Sequence, residues 1–98
     1  MRLSSSEIAA IKAAVAQVAG TTATVRLFGS RMDDHKQGGD IDLLVETPGE
    51  PENAALTAAR IEAQIIIALG DQKIDVLLKA PNLMYLPIHQ VAEKGILL

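Results

Sequence analysis

Along the first twenty residues the apolar positions Ile8, Ile11, Val15 and Val18 recur at the three-to-four-residue spacing of one helical face. Ser4 and Glu7 stand in front of them at capping-box separation, and Gly20 closes the segment. The period then shortens to two. Val25 and Leu27 share a face in the β-prone run Val25–Phe28, which ends in Gly29-Ser30. After a polar stretch closed by Gly38-Gly39, whose positive φ angles suit a tight turn, a second strand is predicted from Asp40 to Val45, ending near Glu46. The loop Thr47–Pro51 leads to a helix from about Asn53 to Ala68, with Leu56, Ala59, Ala63 and Ile67 predicted to face the sheet and Gly70 as its stop.

A third strand follows over Lys73–Leu78, then a single turn within 82–86, then a helix that Pro87 opens and Gly95 closes over Ile88–Lys94. The last three residues, Ile96, Leu97 and Leu98, are expected to tuck under the core. Exposed together with Tyr85 or Leu86, they would instead mark a partner surface. The order helix, strand, strand, helix, strand, helix predicts an α/β fold, a short mixed β-sheet with helices packed against it and a functional site at one end of the strands.

Composition narrows what such a fold can do. A chain of 98 residues is expected to form one domain over residues 1–98, burying roughly two-thirds of its unfolded surface. Only 2% of the residues are aromatic, so stacking platforms for bases are not expected. The formal net charge of −3 argues against a basic face that grips a nucleic-acid backbone. A small charged ligand stays compatible. The absence of cysteine excludes a disulfide framework, a thiolate metal site and a cysteine nucleophile. Leu3 and three serines, not an apolar run, follow Met1-Arg2, and Ile65–Leu69 is too short to span a bilayer, so a cytoplasmic protein is expected.

The chemistry concentrates between Phe28 and Val45. Asp40 and Asp42 are two residues apart, so on a strand both carboxylates lie on one face while Ile41 and Leu43 point into the core. Gly29 lets backbone approach a ligand closely, and Ser30 with Asp33 has the spacing of a helix N-cap, where a phosphate can be held by backbone N–H groups, the Ser30 hydroxyl and Arg31. The plainer reading is a strand-to-helix turn. Asp75 stands alone in an apolar strand, either half-solvated at a sheet edge or, beside Asp40 and Asp42, as the third carboxylate of a metal site. His89 reads as a helix-surface residue and His35, next to Lys36, as a solvated loop residue. Three carboxylates on a strand face beside a phosphate-binding turn suit two Mg²⁺ ions about 3.5–4 Å apart and transfer at the α-phosphorus of a nucleoside triphosphate.

At Leu27-Phe28-Gly29-Ser30-Arg31, Asp40-Ile41-Asp42-Leu43-Leu44-Val45 and Asp75, the sequence resembles the nucleotidyltransferases of the DNA polymerase β superfamily, in particular the minimal nucleotidyltransferases. The resemblance implies catalytic and metal-holding roles for Asp40, Asp42 and Asp75, and nucleotide or phosphate binding by Gly29, Ser30 and Arg31. It also implies Mg²⁺ as cofactor and ATP as substrate. Minimal members are commonly paired with an all-helical HEPN-domain protein, in several cases as the antitoxin that adds AMP to a tyrosine of the toxin, and the resemblance implies that partner and role here. Two departures stand out. Nine residues separate Ser30 from Asp40, one fewer than in the antitoxin motif, and Met32-Asp33-Asp34 replaces the second arginine and glycine that many relatives carry.

Overall fold

The computed structural model describes residues 1–33, 39–70 and 72–98. His35, Lys36 and Gly38 of the polar loop lie outside that set. In chain order the elements are α1 (Ser5–Ala19), β1 (Thr24–Phe28), a 3-10 turn (Gly29–Met32), β2 (Ile41–Glu46), α2 (Ala54–Leu69), β3 (Ile74–Lys79), α3 (Pro87–Ala92) and β4 (Ile96–Leu97). The strands form one mixed sheet in the order β3-β2-β1-β4. Only β2 and β3 run parallel, as expected for two strands joined by the crossover helix α2.

Strand alternation divides the molecule into two faces. On one, Val25 and Leu27 of β1, Ile41, Leu43 and Val45 of β2, and Ile74 and Leu78 of β3 meet Ile11, Ala14 and Val15 of α1 and Ile61 and Ile65 of α2. Each large aliphatic side chain buried there stabilises the fold by ~1.5–3 kcal/mol relative to exposure. Phe28 and Leu44, of the other parity, point to the opposite face and pack with Ala92 of α3, Met32 and Leu77. Asp42 and Asp75 share the parity of this second face.

The helix ends follow their local chemistry. Ser4 Oγ accepts from Glu7 N–H at 3.1 Å and Glu7 Oε1 accepts from Ser4 N–H at 2.8 Å, the reciprocal pair expected at the start of α1. Asn53 Oδ1 caps α2 by accepting from Leu56 N–H at 3.0 Å.

Several expectations are overturned. The buried stripe of α2 is Ile61 and Ile65, with Ala54, Ala58 and Leu69 packed against the core, whereas Leu56 and Ile67 are 45% and 80% exposed. Twelve of the 16 positions of α2 are apolar, so several stripes satisfy helical spacing. The stripe chosen is the one that sets two isoleucines four residues apart against α1. His89 is buried at 3% exposure instead of lying on the surface. Its Nδ1 accepts from Leu86 N–H at 3.0 Å, which leaves Nε2–H to donate to Leu78 O at 2.7 Å and ties α3 to β3. Ile96 and Leu97 do not tuck under the core. They add an exposed edge strand to β1, and only Leu98 packs inward. Among the described residues no helix is long and apolar enough to cross a membrane.

Candidate active site

The site lies at the end of the sheet where β1 stops and β2 and β3 begin. Antiparallel pairing sets Phe28 opposite Asp42, so the residue after Phe28 lands beside the Asp42 carboxylate. Gly29 has φ +76°, and a Cβ there would collide with Asp42 Oδ2. Glycine is therefore required twice, for the left-handed backbone and for the close approach.

Parallel pairing brings Asp42 into register with Asp75 on β3. Both side chains lie on the same face, because parallel neighbours in register share parity. Asp75 is exposed on an edge strand, as the plainer sequence reading had it, and it also stands next to Asp42. The electrostatics register that closeness. Burial, then the charges of Asp75 and Asp40, then a side-chain hydrogen bond to Asp75 push the Asp42 carboxyl above the usual carboxylate range, while Lys73 pulls it back.

Asp40 sits just before β2, with Oδ2 3.5 Å from Lys73 Nζ. Among the described residues no three His, Cys, Asp or Glu side chains converge into a metal-ligating group. The structure thus joins two of the expected carboxylates and leaves the third beside a lysine. The donor set still suits a hard divalent cation at Asp42 and Asp75. Two oxygen-bearing groups crowd each other there, and a cation between them would relieve the repulsion that raises Asp42.

The phosphate turn differs from its expected form. Ser30 is inside the 3-10 turn, not at the N-cap of a longer helix. Phe28 holds the cap position without a side-chain bond, and Asp33 ends the turn by donating its N–H to Ser30 O at 3.1 Å. Gly39, with φ +91°, lies so close to Ser30 that a Cβ would meet Ser30 Oγ. The Arg31 guanidinium donates to Gly39 O at 3.3 Å, Arg2 O at 3.0 Å and Gln72 Oε1 at 3.4 Å. These bonds make Arg31 a brace between the three loops that flank the site.

Two contributors escaped the sequence reading. Arg2 bonds the same turn through its own side chain, and Lys73 meets Asp40. A basic residue immediately before the Asp75 strand was the only local signal for Lys73, and Arg2, 28 residues from Ser30, offered none.

The model of the nucleotidyltransferase domain matches residues 8–95, which include the Gly29-Ser30 turn, Asp40, Asp42 and Asp75. The chain belongs to that family. No curated protein and no solved structure matches it. As a nucleotidyltransferase domain it has nucleotidyl transfer as its general chemistry, for which the family typically uses a nucleoside triphosphate and a divalent metal. The four-stranded mixed sheet with its helices is consistent with the polymerase β-like fold of such domains.

Proposed function

We propose that this nucleotidyltransferase domain is a Mg²⁺-dependent enzyme that moves AMP from ATP to a hydroxyl of a partner protein, and that the partner is a HEPN-domain helical protein for which this chain serves as antitoxin. The observation that carries the reading is the in-register pair Asp42 and Asp75, with Gly29 pressed against Asp42. An open strand face with two carboxylates beside a glycine-serine turn suits attack by an acceptor presented from outside.

In this reading Asp42 and Asp75 would hold Mg²⁺, with Asp40, which faces Lys73, as the third carboxylate. The ion would neutralise phosphate charge and lower the pKa of the attacking hydroxyl. Gly29 and Ser30 receive the β- and γ-phosphates, and Arg31 keeps their turn in place while adding positive charge nearby. The acceptor oxygen forms a bond to the α-phosphorus, the bond from that phosphorus to the bridging oxygen breaks, and pyrophosphate leaves. Asp75, the more exposed carboxylate, takes the hydroxyl proton.

A second reading rests on a different surface. Met84, Tyr85, Leu86, Ile88 and Val91 on and before α3, with Ile96 and Leu97 of the C-terminal strand, expose apolar area through which the chain could inhibit a partner by contact alone. Intact-mass analysis of the co-expressed partner after incubation with ATP and Mg²⁺ separates the two. Transfer predicts a mass increase of one AMP with the wild-type chain and none with Asp40→Asn/Asp42→Asn. An unchanged mass with any of the four triphosphates, in a complex that still holds together, would replace the enzymatic reading with contact inhibition.

A further inference from the structure

The glycine-serine turn is short, and its far end is held by a residue remote in sequence. A 3-10 turn of four residues leaves carbonyls at its C-terminal end without intrahelical partners. Arg2 meets them. Its backbone N–H donates to Arg31 O at 2.9 Å, its Nε to Asp33 O at 3.0 Å and its Nη2 to Ser30 O at 3.1 Å. Arg31 returns a bond from Nη1 to Arg2 O at 3.0 Å, so the two arginines hold each other's segments reciprocally. A cation at this end is also the favourable sign for the turn's dipole.

The grip reaches further than the turn. Through Arg31 the same assembly holds Gly39, the residue before Asp40, and Gln72, which lies three residues ahead of Asp75. Gln72 Nε2 lies 3.5 Å from Glu7 Oε2 in the capping box of α1. Segments that lead to every predicted site residue therefore converge on two guanidinium groups. Planar forks suit such a junction, because one side chain satisfies several carbonyls in fixed directions, which a lysine ammonium cannot do.

We propose that Arg2 is a positioning residue: it fixes the Gly29-Ser30 turn in the orientation that receives the triphosphate, without touching the reacting atoms. The triphosphate part of this inference rests on the function proposed above. The clasp itself does not.

Arg2→Gln and Arg2→Lys should be compared with wild type in two measurements. Amide hydrogen exchange at 29–33 should quicken about tenfold in Arg2→Gln, with α2 unchanged, and Arg2→Lys should fall between. Binding of a non-hydrolysable ATP analogue with Mg²⁺, followed calorimetrically, should weaken about tenfold in Arg2→Gln and be partly restored in Arg2→Lys. Full restoration by lysine would show that the guanidinium fork is not needed and would overturn the positioning role. Unchanged exchange at the turn would overturn the clasp. Faster exchange with unaltered analogue affinity would overturn the positioning role. A wild-type chain that binds no triphosphate while the exchange result holds would overturn the functional reading and, with it, the triphosphate role, but not the clasp.

Discussion

Asp42 is the residue on which most of the site's physics meets. It is partly buried, faces Asp75 across the β2–β3 ladder, and touches the space that Gly29 leaves open. Its raised pKa means that in the ionised state it works against folding, since charge is being held near charge in a partly desolvated place. On the function proposed above Asp42→Asn should abolish transfer, and relief of the repulsion should yet stabilise the free chain, raising its melting temperature by a few degrees at most because solvent screens the charges. Differential scanning calorimetry of the purified variant checks this. A lower melting temperature would mean that the carboxylate makes a stabilising contact outweighing the repulsion. Lys79 shows the opposite arrangement on the same sheet face. Its Nζ lies 2.9 Å from the solvent-shielded Oε1 of Glu93 and 3.6 Å from Glu46, while Tyr85 donates to Glu93 Oε2 at 2.8 Å. Here mutual attraction holds Glu93 below, and Lys79 and Tyr85 above, their ordinary pKa ranges. The two ends of the face thus differ: one is electrostatically satisfied and the other is left with excess negative charge.

At the scale of elements, α2 carries the clearest lesson. Its sequence, rich in alanine and isoleucine, forms a helix whichever face is turned inward, and only packing against α1 and β3 selects Ile61 and Ile65. Glu62, next to that stripe, accepts from Val76 N–H at 3.1 Å and so covers a backbone donor of edge strand β3. Ile61→Ala should cost about 2–5 kcal/mol in urea unfolding, and Ile67→Ala should stay within ~0.5 kcal/mol of wild type. Equal losses at the two positions would show that the outer face of α2 is covered in solution. α3 is a contrasting case, a six-residue helix too short to stand on propensity. Pro87 starts it, its own Ala92 packs on Phe28 and Leu44, and the two bonds of His89 lock it to the loop before it and to β3.

For the whole molecule, a cation held by the carboxylate pair would couple ligand binding to stability. A divalent cation that binds the folded chain at Asp42 and Asp75, and not the unfolded one, stabilises it by mass action. At a free concentration ten times its dissociation constant, Mn²⁺ should add about 1.4 kcal/mol to unfolding free energy, and Asp42→Asn/Asp75→Asn should remove that increment. Thermal unfolding with and without the ion, at fixed ionic strength, is the measurement. An equal shift in the double variant would place the ion elsewhere. The site also lies away from the densest hydrophobic layer. The core between the sheet and α1 and α2 is aliphatic and closed, whereas the opposite face grades from carboxylates through Phe28, Leu44 and Leu77 to the Lys79–Glu93 pair.

What the sequence alone determined is local. Period-two spacing placed Asp42 opposite in direction to Ile41 and Leu43, the capping box marked where α1 begins, and Gly29 and Gly39 marked where the backbone turns. Each follows from backbone geometry within a few residues. The family signature was legible for the same reason, because its residues cluster at strand ends. Tertiary structure decided the rest. The register that pairs Asp42 with Asp75 depends on how a parallel crossover closes, and the inward face of α2 on which stripe best fills the space beside α1. The burial of His89 needed a carbonyl from β3. The clasp of Arg2 joins positions far apart in the chain, and no local pattern encodes which remote carbonyls a guanidinium will meet once the sheet has formed.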